Sequence, residues 1–91
     1  MHVAIAIHHP KPEHVQDFLD FMATVEAATE GTPGLLSFES WRELGGGRLV
    51  GMSRWESQEA FTAALPRILE IGGRDPAWSA RPDELLSLTR A

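Results

Sequence analysis

Apolar and polar positions along the chain switch between two periods. Residues 2 to 8 read HVAIAIH and alternate. Val3, Ile5 and Ile7 fall on one face of a strand, and His2, Ala4, Ala6 and His8 on the other. The bulky face is expected to meet a helix layer and the small face another sheet. Pro10 and Pro12 end the strand. From Glu13 to Glu30 the apolar residues Val15, Phe18, Leu19, Met22 and Val25 recur at helical spacing, with Phe21 widening the stripe. Gly31 to Gly34 stop that helix. Leu35 to Arg42 alternates again, with Leu36 and Phe38 facing one way and Leu35, Ser37, Glu39 and Trp41 the other. Gly45, Gly46 and Gly47 supply a hairpin turn. Arg48 to Glu56 sets Leu49, Gly51, Ser53 and Trp55 against Val50, Met52 and Arg54. Ser57 is an N-cap for a second helix carrying Phe61, Ala64 and Leu65, which Pro66 is expected to kink or break. Arg74 to Pro82 is irregular. Glu84 to Arg90 forms the last strand, with Leu86 and Leu88 on one face.

The order βαββαβ predicts an α+β, ferredoxin-like domain spanning residues 1–91. Its sheet is four-stranded and antiparallel, with both helices on one face. The other face would carry Leu35, Trp41, Val50 and Met52, too apolar for comfortable exposure. A second copy would cover it, so a homodimer is expected.

Charge narrows the partners. The formal net charge is −5 with no basic run. Nucleic acid and anionic membrane surfaces both call for a cationic patch, so neither is expected as a partner. The chain has no cysteine, which excludes disulfides, thiolate metal sites and a thiol nucleophile. Apolar runs fall far short of the ~20 residues of a membrane-spanning helix. A cytoplasmic protein is expected.

The stretches PGLLSF (Pro33 to Phe38) and RWESQEAF (Arg54 to Phe61) resemble the antibiotic biosynthesis monooxygenase family of dimeric α/β-barrel proteins. The opening strand, the KPEHVQDF stretch and the long first helix agree with that family in order and spacing. The resemblance implies two sheets packed face to face in a homodimeric barrel, and a pocket in each subunit between sheet and helices. It also implies cofactor-independent oxygenation of aromatic or quinol substrates, or haem degradation. Haem-degrading relatives have an asparagine, a tryptophan and a histidine where spacing places Ile5, Ala64 and Arg74. Many quinol-type members have a glutamate and a histidine where Ser53 and Ala64 stand. No haem, flavin or metal cofactor is therefore expected.

The pocket is expected among Ile5, Phe18, Met22, Phe38, Ser53, Trp55 and Phe61, with Arg74 and Trp78 at its mouth. Trp55 reads first as a core aromatic under the second helix and second as a wall stacking on an aromatic ligand, and both can hold together. His8 and His9 point to opposite faces of a strand and cannot chelate one ion. His9 and His14 lack a third ligand, so no metal site is expected. No Ser-His-Asp set or phosphate-binding loop is present. The reading is a monooxygenase without metal or flavin for a small hydrophobic aromatic or quinol-like substrate. The alternative is a non-catalytic dimer that binds a small hydrophobic ligand or is purely structural.

Overall fold

In the computed structural model, which describes residues 1–91, the element order is β1 (His2–Pro10), α1 (Val15–Thr29), β2 (Leu35–Arg42), β3 (Leu49–Trp55), α2 (Gln58–Leu69) and β4 (Ser79–Thr89). Short 3-10 turns at Pro12–His14 and Pro76–Trp78 precede α1 and β4. The strands form one sheet in the order β2-β3-β1-β4, antiparallel at every pairing. This is the ferredoxin-like arrangement the pattern predicts.

Local chemistry sets the joints. Ser57 has extended backbone angles, and its hydroxyl accepts the Ala60 N–H, capping α2. Of the three hairpin glycines, only Gly45 takes a positive φ, 74°. Gly34 also has a positive φ, and a Cβ there would come within 2.5 Å of the Ala60 Cβ. A side chain at residue 34 would force α2 away from the start of β2.

Pro66 lies inside α2, which runs on to Leu69. The expected break is absent. The residue costs the helix one N–H donor in its last turns, on a helix whose Leu65, Arg67 and Ile68 are not buried. The last strand also begins earlier than the alternation suggests. Ser79–Pro82 belongs to β4, where Pro82 is tolerated because β4 is an edge strand.

The two sides of β1 are reversed relative to the expectation. His2 lies opposite Trp55, Ala4 opposite Ser53, Ala6 opposite Gly51 and His8 opposite Leu49. Trp55 and Leu49 are buried beneath the helices, so the small residues and both histidines share that side. Val3, Ile5 and Ile7 share the open side with Arg54, Met52 and Val50. Close helix approach explains the reversal. Small Ala4, Ala6, Gly51 and Ser53 leave room for the Phe18 and Trp55 rings, both 0 % exposed.

Leu35 is a further correction. It pairs with Trp55, and a register shift before Ser37 separates it from Glu39 and Trp41. The bulge puts Leu35 at the helix side rather than on the open face. Leu86 and Leu88 of β4 stand beside Ile5 and Val3 on the open face.

Candidate functional site

The helix side of the sheet holds two aromatic clusters. Beneath α2, Trp55 meets Phe61 edge-on at 5.5 Å between ring centroids, and Phe61 stacks on His2 at 5.1 Å. The Trp55 Nε1–H donates to Ser53 Oγ at 2.8 Å. Ser53 in turn lies 3.5 Å from the Ala4 carbonyl oxygen, to which it donates. Both residues are buried and satisfied. This cluster is packed core, and Ser53 supports the tryptophan.

Beneath α1, Phe18, Met22 and Leu49 form the second cluster, with Val15, Leu19 and Trp78 against it. Phe18 lies 5.1 Å from the His8 ring and 6.0 Å from Trp78. His14 stacks on Trp78 at 6.3 Å and bonds Asp17 at 2.8 Å. The Arg74 guanidinium sits 4.8 Å from the Phe18 ring centroid, a cation–π distance. The chain reaches this arrangement because Lys11 N–H donates to the Trp78 carbonyl at 2.8 Å, tying the turn before β4 to the end of β1.

Polar groups gather at this end. Arg74 grips Asp83 through two parallel bonds, Nη1 to Oδ2 at 2.6 Å and Nη2 to Oδ1 at 2.8 Å, and donates to Ser79 Oγ at 3.1 Å. Asp83 Oδ2 lies 3.1 Å from His8 Nδ1, out of line for a good hydrogen bond. Burial holds the His8 imidazole below its ordinary 6.5 and outweighs the upward pull of Asp83, while Arg74 and His9 push it further down. Burial would raise the Asp83 carboxyl, but the Arg74 bonds and His8 bring it below 3.8. At neutral pH the cluster therefore holds a neutral imidazole, a carboxylate and a guanidinium. His9 points to the opposite side and bonds Glu84 at 2.6 Å. No three His, Asp or Glu side chains gather to hold a metal ion.

The expected pocket residues thus divide. Phe18, Met22, Arg74 and Trp78 come together with His8. Ser53, Trp55 and Phe61 lie in the other cluster. Phe38 lines a groove of about 480 Å³ between α1 and β2, with Ala23, Ala27 and Leu35. Ile5 is on the open face opposite Met52, so it cannot line a helix-side pocket. A second groove, of about 410 Å³, opens beside Arg74, Ser79 and Arg81. Sequence reasoning missed His8 and Asp83. The one available signal was that His8 shares an alternation face with Ala4 and Ala6.

A family model described as antibiotic biosynthesis monooxygenase matches residues 1–66. The chain belongs to this family. Solved structures share the fold. One is the haem-degrader MhuD of Mycobacterium tuberculosis, solved with two haems in its active site. It is 28% identical, covers 96% of this chain and 92% of its own, and has a TM-score of 0.77. Rv0793, also of Mycobacterium tuberculosis, is 20% identical over 99% and 94%, with a TM-score of 0.78. An antibiotic biosynthesis monooxygenase is 19% identical over 100% and 99%, with a TM-score of 0.74. No curated protein matches. No helix is long and apolar enough to cross a membrane.

Proposed function

We propose that this chain is a cytoplasmic, homodimeric monooxygenase, one domain over residues 1–91. It acts on a small hydrophobic aromatic or quinol-like substrate without metal, flavin or haem. The observation that carries this reading is the cluster beneath α1. Aromatic rings of Phe18, Trp78 and His14 stand beside a neutral imidazole and a fixed guanidinium within one family fold. Phe18 is packed core, and the half-buried Trp78 and His14 rings are the ones with surface to offer a flat substrate. A substrate that forms a stabilised carbanion reduces oxygen itself and needs from the protein only orientation, a dry site and a proton acceptor.

The reading without haem is supported by the positions that spacing matches to the polar or ligating groups of haem-degrading members: Ile5 lies on the far side of the sheet, the alanines either side of it face the helices, and Ala64 is a buried methyl. Arg74 is committed to Asp83. MhuD binds haem, so the comparison makes hemin the necessary control.

The dimer is supported by surface. The isolated chain exposes 5969 Å², against roughly 5,200 Å² for a self-contained monomer of this mass. The excess includes Trp41, 53 % exposed, on the sheet face that holds Val50 and Met52.

Oxygen uptake with anthrones and quinols tests the reading. Consumption above autoxidation, unchanged by chelators, is expected, with no saturable Soret shift on hemin titration. No uptake together with a stoichiometric Soret shift would replace this reading with haem chemistry. Neither signal would leave the non-catalytic dimer.

A further inference from the structure

We propose that His8 Nε2 is the proton acceptor of the oxygenation, with Asp83 and Arg74 as its positioning groups; this rests on the function proposed above. The geometry is directional. Asp83 Oδ2 stands 3.1 Å from Nδ1, so the carboxylate favours the proton on Nδ1 and leaves Nε2 as the acceptor. Asp83 cannot turn away, because Arg74 holds both of its oxygens and is itself braced on Ser79 and over Phe18.

Access distinguishes His8 from His2, the other buried histidine of this face. His2 Nε2 is sealed and unpartnered, under the Phe61 ring. At His8 only Nδ1 is sealed, and Nε2 makes no hydrogen bond within the protein. A sealed nitrogen cannot receive a substrate proton. An unsealed, unbonded one beside aromatic walls can.

The step balances as a simple proton transfer. The substrate O–H bond breaks, its electron pair stays on oxygen, and a new N–H bond forms at Nε2. The product pair is a phenolate, delocalised as a carbanion that oxygen can accept electrons from, and an imidazolium. The Asp83 carboxylate, 3.1 Å from Nδ1, stabilises that imidazolium by its charge. The charged groups that act most on His8 are Asp83 from β4, Arg74 from the preceding loop and His9 from its own strand, while α1 presents the uncharged Phe18 ring. Burial keeps the resting imidazole neutral and ready to accept.

The test combines rate, pH and tautomer. In the wild-type dimer, kcat/KM with a quinol should fall on the acid side along a limb lying below 6.5. His8→Gln should lower kcat on the order of 10²-fold or more with KM changed little. A quinol already ionised at the assay pH should restore most of that loss in His8→Gln and should abolish the acid limb in wild type. Asp83→Asn should move the limb, and nitrogen-15 spectra should show His8 losing its Nδ1–H preference. The wild-type measurement with the ionised quinol stands even if the variants fold poorly. Wild-type turnover with an unchanged rate in folded His8→Gln, or an acid limb that persists with the ionised quinol, overturns the His8 assignment alone. No wild-type turnover with any quinol overturns the function as well.

Discussion

Trp55 and Ser53 stand two residues apart on β3 and are joined by a 2.8 Å hydrogen bond from indole to hydroxyl, both buried. The largest side chain of the core is therefore anchored by the smallest polar one near it. Ser53→Ala should leave the indole N–H unpaired and cost about 1–3 kcal/mol. Trp55→Ala should cost about 3–5 kcal/mol. Urea denaturation of both variants checks this. A Ser53→Ala value near zero would mean that the indole finds another acceptor.

The open face yields a second prediction. Trp41→Glu should convert a stable dimer into monomer or aggregate, because pairing would bury a carboxylate between sheets. An interface of this kind typically buries upwards of roughly 2,000 Å². Sedimentation velocity reads the outcome. A wild-type chain that is a folded monomer at micromolar concentration contradicts it.

Acid should weaken the fold in two stages. The folded values of His8 and Asp83 are both depressed, so each contributes stability at higher pH and loses it as pH falls. Below 6.5 the unfolded chain binds a proton at His8 that the folded chain refuses, at up to about 1.4 kcal/mol per pH unit. The loss continues until His8 itself protonates in the folded state. A further loss starts near 3.8 and runs downward through Asp83. His8→Gln should remove the first stage, seen as a smaller drop in urea midpoint between pH 7 and pH 5.

Pro66 offers a gain. Pro66→Ala restores a donor to α2 and should raise stability by about 1–3 kcal/mol, the low end if the last turn frays. Urea denaturation at neutral pH measures it. No gain would mean that the helix end contributes little to the folded state.

Much of the architecture was legible in periodicity. The Phe18, Met22 and Val25 stripe, the Gly45 turn and the Ser57 cap each act locally, and the structure uses each as expected. The facing of β1 was not legible, because alternation fixes which residues share a side and not which side meets the helices. Bulk suggested Val3, Ile5 and Ile7. Yet a helix layer fits closely over alanine, glycine and serine when large rings fill the gap. The edge bulge at Leu35 and the early start of β4 depend on pairing partners distant in sequence. His8 and Asp83 were invisible as a site for the same reason, being joined by the crossing of β1 and β4. Phe18, Arg74 and Trp78 were expected near one pocket and do meet, though beside His8 rather than Trp55.

The grip of Arg74 on Asp83 divides labour along the chain. His8, His14 and Phe18 fall within residues 1–66, the span shared with the family model, while Arg74, Trp78 and Asp83 lie beyond it. The imidazole and the groups that enclose it thus come from opposite ends of the chain, so a chain cut after residue 66 would keep His8 and Phe18 but lose the carboxylate and the guanidinium that lie against them.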